Sequence, residues 1–166
     1  MRSAFKAKPP RYPTNWNDFP AGEHIRHAVN AVCSDYAERI FGYHFAKLGS
    51  LSADINLDTS PIRHHINHVP FNDLASEQPH HNEAKEGFPN HNASAISLGG
   101  DKREPKISRE NTVVGQSHCL PFAENSIDGF LLANELDFAQ DPHEILREVD
   151  RVITQNGYVI ISGFNP

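Results

Sequence analysis

Ile127-Asp128-Gly129-Phe130-Leu131-Leu132-Ala133, then Asp141-Pro142-His143-Glu144-Ile145-Leu146-Arg147-Glu148-Val149-Asp150-Arg151-Val152, then Asn156-Gly157-Tyr158-Val159-Ile160-Ile161 are the three stretches that decide the fold. The first is a nearly continuous apolar run, the mark of a strand covered on both faces in a parallel sheet. The second begins as helices begin. Asp141 is placed to cap, Pro142 takes a first-turn position whose N–H is not needed, and Glu144 is placed to reach back. Ile145, Val149 and Val152 then form a buried stripe, widened by Leu146 and Ile153. Asn156-Gly157 reads as the helix stop and Tyr158–Ile161 as a second buried strand. A strand, a crossover helix and a strand of these lengths make a right-handed βαβ unit with parallel strands.

Working outward, Thr112–Gly115 reads as a short strand, followed by Leu120-Pro121-Phe122 and the turn Ala123-Glu124-Asn125-Ser126. Residues 70–111 are dominated by Pro, His, Asn, Glu, Lys and Gly without apolar period, and read as a polar insertion. Ile62–Val69 fits either a short helix after Pro61 or a strand with Ile62, His64, Ile66 and His68 on one face. Asp54–Leu57 reads as a short strand closed by Asp58-Thr59-Ser60-Pro61, and Tyr43–Leu48 as another, ended by Gly49. Residues 18–41 read as a helix, with Asp18 as cap and Pro20 in the first turn. Its expected inner face is Ile25, Val29, Val32, Tyr36 and Ile40, widened by Ala28 and Cys33, with Gly42 as the stop. Residues 1–17 read as a loose arm whose end Trp16 and Phe19 anchor. The organisation expected is this arm followed by a single α/β domain over 18–166, with a doubly wound, mostly parallel sheet.

Bulk properties narrow the function classes. The 166 residues suffice for one core, and the net charge of −6 argues against a dedicated nucleic-acid binder. No stretch is long and apolar enough to cross a bilayer, and the basic start Met1–Pro10 lacks the apolar run of a signal peptide. Two distant cysteines, Cys33 and Cys119, make no disulfide framework and point to a reducing, cytoplasmic setting.

The segments Leu120–Asp128, Asp141–Val152 and Asn156–Ile161, in that order and spacing, resemble the class I S-adenosylmethionine (SAM) methyltransferases, most closely their type 11 branch. The resemblance implies a Rossmann-like sheet, SAM as cofactor, and a site at the carboxyl ends of the strands where their order reverses. It places the cofactor loop at Phe45–Ala53. There Gly49 and Ser50 would approach SAM, Lys47 stands where the family has an acid, and Leu51 and Ala53 replace later glycines. It places Asp58, in Asp58-Thr59-Ser60-Pro61, at the end of the second strand as an acceptor for the ribose hydroxyls. It puts Gln116, with Ser117, where the family contacts the adenine amine, and Asn134-Glu135 on the substrate side. The family continues past the fifth strand, so the resemblance implies a sheet incomplete at its C-terminal edge. That edge leads to the expectation of a homodimer, or of a truncated chain.

Two readings follow: a SAM-dependent methyltransferase of unknown acceptor, small molecule or macromolecule, and a non-catalytic relative that has lost SAM and serves in interactions. A third rests on the histidines, eleven in all, because His64 and His68 would share a helical face. No thiol or acid completes an ordered ligand set, so no metal site is assigned. Cys119 is expected as a small buried residue and Glu135 as an exposed acid at a helix start.

Overall fold

Five parallel strands form one sheet in the order β3-β2-β1-β4-β5. Along the chain the elements are α1 (Gly22–Ala37), β1 (His44–Leu48), α2 (Ser50–Ala53), β2 (His64–Pro70), β3 (Thr112–Gly115), β4 (Ile127–Ala133), α3 (Glu135–Phe138), α4 (Pro142–Val152) and β5 (Ile153–Ser162). The computed structural model describes residues 12–70 and 111–165. The expected insertion at 70–111, its two end residues apart, and most of the expected arm therefore lie outside the described residues. The chain winds outward from β1 through β2 to β3, then returns to the other side of β1 for β4 and β5. This is the doubly wound arrangement expected, and the strand order reverses between β1 and β4.

The apolar run of β4 explains its central place. Leu131 and Ala133 enter one core with Phe45 of β1 and with Cys33 and Ala37 of α1. Phe130 and Leu132 enter the opposite core with Ile145, Val149 and Val152 of α4. Alternate residues of a strand point to opposite faces, so one short strand nucleates both layers.

Helix α4 starts as its sequence dictates. Asp141 Oδ1 accepts hydrogen bonds from the N–H groups of His143 (2.9 Å) and Glu144 (3.3 Å), with Pro142 in the first turn. The Glu148–Arg151 pair on its outer side binds the preceding loop. Leu120 N–H donates to Glu148 Oε2 (2.9 Å), while the Arg151 guanidinium donates to the carbonyls of Phe122 and Leu120, each at 3.1 Å. Arg151 beside Glu148 holds that carboxyl below the usual carboxylate range. The Leu-Pro-Phe segment is thus clamped to the helix that follows it.

Several boundaries differ from expectation. Helix α1 begins at Gly22, preceded by Ala21 in the left-handed region (φ 57°). Asp18 instead closes a capping box on a one-turn 3-10 helix, Trp16–Asp18, and Pro20 lies in the turn between the two. The start falls at Gly22 because the Trp16 carbonyl packs where a side chain would stand. The helix ends at Ala37, short of Gly42. Val32 (57% exposed) and Tyr36 (54%) face outward, while Ile25, Val29, Cys33 and Ala37 make the inner row. The run Asp54–Leu57 is a loop, not a strand; Ile55 and Leu57 are buried in the α1-side core all the same. The ambiguous segment becomes strand β2, so the His64/His68 helical face does not exist. Helix α4 ends at Val152, and the sheet register slips between Ile127↔Ile153 and Gly129↔Tyr158, which leaves Thr154–Gly157 as an irregularity within β5. Cys119 is exposed rather than buried, whereas Cys33 is buried, and that burial pushes its thiol up to about 11.

At the other end, β5 pairs only with β4 among the described residues, and Tyr158 (58%) and Ile161 (50%) are exposed along it. The end of the arm is anchored as expected. Trp16 is fully buried and its indole N–H donates to the Leu51 carbonyl at 3.1 Å. Trp16→Ala is therefore expected to lower stability by about 3–5 kcal/mol, read as a reduced midpoint in urea unfolding followed by circular dichroism.

Candidate cofactor crevice at the strand reversal

Ligands in open α/β sheets bind beyond the carboxyl ends of the strands where the order reverses. Here that place is bounded by the ends of β1 and β4. Strand β1 ends at Leu48, and Gly49 follows with φ +85° and ψ 158°, a conformation confined in practice to glycine. Its N–H donates to the His68 carbonyl of β2 (2.8 Å) and its carbonyl accepts from Ala53 N–H (3.1 Å). The carboxylate of Glu135, on the turn after β4, packs directly on the Gly49 α-carbon and occupies the space a β-carbon would need. Glu135 is 5% exposed, and its Oε1 accepts a hydrogen bond from Ser117 Oγ (2.7 Å), itself buried. Tyr12, from the end of the arm, lies close enough to this carboxylate to feel its charge. Burial first, and Glu135 second, raise the Tyr12 phenol above its ordinary range.

The expected site residues divide accordingly. Gly49, Ser50, Ser117 and Asn134 gather at this crevice, with Gln116 exposed beside Ser117. Asn134 is committed to structure. It sits in the left-handed region (φ 56°), its Nδ2 donates to Asp137 (2.9 Å), and its Oδ1 accepts from Ser162 Oγ (3.2 Å). Ser52, which the sequence did not single out, belongs to the frame: its Oγ accepts from Ala133 N–H (2.7 Å) and ties α2 to the end of β4. Asp58 is not at the end of the second strand. It precedes β2, in a turn where its carboxylate accepts from Asn56 Nδ2 (2.7 Å). The reason is that β2 forms from 64–70, a segment whose pattern was equivocal, and not from 54–57. Glu135, expected exposed, is the buried centre of the site. An acid directly after a two-sided buried strand at the reversal point was the signal available for it, whereas nothing in the sequence marked Tyr12.

Lys47 explains the loop chemistry. Its ammonium, 7% exposed, donates to the Ile55 carbonyl at 2.7 Å and so fastens the loop after α2. Burial lowers its pKa, and Asp58 and Asp54 pull it back up. The acid the family carries at this position is therefore absent from β1, and a carboxylate reaches the same crevice from β4.

The comparisons with known proteins meet this geometry. Residues 91–161 match the family described as "Methyltransferase domain". Over these residues, which take in β3, β4 and α4, the chain resembles that family. It is 30% identical over 154 residues to YafS of Escherichia coli K12, an uncharacterized protein, covering 93% of this chain and 49% of that one. It is also 31% identical over 71 residues to an uncharacterized protein of Methanocaldococcus jannaschii, covering 40% of this chain and 35% of that one. The chain thus spans half or less of the length of these curated relatives. Among solved structures, it resembles the YcgJ protein of Bacillus subtilis (17% identity, TM-score 0.49, covering 81% of this chain and 50% of that one). It also resembles a Thermotoga maritima SAM-dependent methyltransferase described as a possible histamine N-methyltransferase (17%, TM-score 0.46, 82% and 53%).

His68 stands beneath the crevice at the end of β2, fully buried, its ring 6.5 Å from that of Phe122. Neither ring nitrogen has a partner among the described residues, and burial lowers its pKa to about 4. The unfolded chain, with an ordinary histidine near 6.5, binds a proton that the folded one refuses. Stability is therefore expected to fall as pH drops from about 6.5 through about 4. His68→Leu should lose less than the wild type across that window in urea titrations. A second test addresses the glycine: Gly49→Ala carries a backbone cost of about 1–3 kcal/mol plus the clash with Glu135. In Glu135→Ala the clash is relieved, so the alanine should cost less in that background, measured as a double-mutant cycle.

Proposed function

We propose that this chain contributes the cofactor-binding face of a SAM-dependent methyltransferase. The observation that carries the reading is the delivery of the Glu135 carboxylate onto Gly49 at the strand reversal. The family's cofactor loop pairs a close-approach glycine with an acid. Here Gly49 keeps the first role and Glu135 takes the second from across the sheet, while Lys47 is turned to the loop. Bound SAM would supply a methyl group on a sulfonium, an electrophile that needs alignment with its acceptor more than proton transfer. The protein's part is then to bind and orient. Gly49, lacking a side chain, lets a partner group lie directly on its backbone, Glu135 offers an anion to the cofactor's ammonium, and Ser117 holds that carboxylate in place. Ser50 and Gln116 supply further polar groups at the rim, and Asn134 shapes the turn that presents Glu135.

A second reading is favoured by the same contact. A carboxylate resting on Gly49, backed by Ser117 and Tyr12, fills space that a cofactor would use, as in a relative that keeps the fold and has lost SAM. Calorimetric titration with SAM and with S-adenosylhomocysteine separates the two. If Glu135 is a ligand, the wild type binds and Glu135→Gln weakens SAM binding roughly tenfold or more, the loss of one hydrogen bond to a charged group. Asp58→Ala leaves affinity unchanged. Absence of binding in the wild type together with its gain in Glu135→Ala assigns the carboxylate as a plug. Absence of binding by all variants overturns the cofactor reading.

A further inference from the structure

The histidines left unused by the crevice include a pair brought together only by the sheet. His44 opens β1 and His64 opens β2, and the two are direct register partners in the parallel pairing. Register partners on adjacent strands project side chains from the same face. Their Nδ1 atoms lie 2.7 Å apart, with ring centroids at 4.9 Å and planes at 78°. His64 is exposed and His44 half-buried, so the pair is reached from solvent. The base of the pair is held firmly. Asp128 Oδ2 accepts from the backbone N–H groups of Tyr43 (2.7 Å) and His44 (3.0 Å), which fastens the start of β1 to β4.

Two neutral imidazoles facing through Nδ1 satisfy one another only when one of them donates, and a solvent-exposed hydrogen bond of this kind adds little net stability. The same spacing suits a shared metal ion. Imidazole nitrogens bind such ions at about 2.0–2.1 Å, so two in cis positions of a square or octahedral site stand about 2.9 Å apart. The nitrogens need to separate by only a few tenths of an ångström, and the rings to turn so that both Nδ1 lone pairs meet at the ion instead of facing one another. Among the described residues no group of three or more His, Cys, Asp or Glu side chains converges, so the remaining positions would be taken by water. Two nitrogens at a cis angle with open oxygen positions match copper(II) or nickel(II) better than a closed zinc site.

We propose that His44 and His64 form a two-histidine site for a divalent transition-metal ion of tetragonal preference, bridging β1 and β2 at their amino-terminal ends. The site lies at the opposite end of the sheet from Gly49, so it stands or falls independently of the cofactor reading. A metal held there binds the folded chain alone and stabilises it by mass action.

The test is a titration of the full chain with copper(II) and with nickel(II), for the wild type, His44→Ala, His64→Ala and the double variant. The other nine histidines, present in every protein compared, set a shared baseline. The wild type should show one site above that baseline. Each single substitution should weaken it on the order of a hundredfold, the loss of one arm of a chelate, and the metal should raise the melting temperature of the wild type only. Electron paramagnetic resonance of the wild type at substoichiometric copper provides a readout that needs no variant, with two coordinated nitrogens expected. Identical isotherms for the wild type and the double variant, or a single coordinated nitrogen, overturn the proposal.

Discussion

Strand β4 has no face of its own to give to water. Phe130, Leu131 and Leu132 are fully buried, and neighbours in the strand point to opposite sides. The only way to cover both sides is a layer on each, with α1 on one and α4 on the other. Everything else is arranged around that requirement. The strand must have parallel neighbours on both edges, β1 and β5. The chain must therefore leave β1 in two directions, and a reversal point, with its crevice, follows from the topology rather than from any special loop.

Polar tethers between elements then fix the frame around the crevice. Asp128 ties β1 to β4 at the amino-terminal end, Ser52 ties α2 to β4 at the carboxyl-terminal end, and Glu148 with Arg151 fixes the Leu120–Phe122 loop. Each gives a backbone N–H or carbonyl a side-chain partner, buried outright only for Ala133 N–H on Ser52. Between these anchors a cation and an anion are both buried, on neighbouring segments. The cation Lys47 occupies the end of β1 and faces the following loop, while the anion Glu135 arrives from the end of β4. A carboxylate therefore lies against Gly49, carried by the first residue of α3.

The two ends of the sheet differ in chemistry. The carboxyl-terminal end gathers a strained glycine, a buried acid and hydroxyls, a setting in which charged interactions are strengthened by burial. The amino-terminal end gathers a half-buried and an exposed imidazole at strand starts, where backbone hydrogen bonds fix their separation. Both sets depend on register, since shifting β2 against β1 by one residue would turn His64 to the other face and carry His68 away from Phe122.

The local pattern was enough for β4, α4 and the parallel βαβ unit, because two-sided burial, capping and the apolar stripe are written in neighbouring residues. It was enough for β1, β3 and the turn at Gly49 for the same reason. It failed where the deciding partner is distant in the chain. Ile55 and Leu57 are apolar for the sake of the α1-side core, not of a strand. Val32 and Tyr36 keep helical spacing yet face outward, because the row that meets the core is the neighbouring one, Ile25, Val29, Cys33 and Ala37. Asp58, Glu135 and the His44–His64 pair could be named as residues but not located. Their surroundings are created by strand order and register, which depend on contacts between segments far apart in sequence, and these only the tertiary structure brings together.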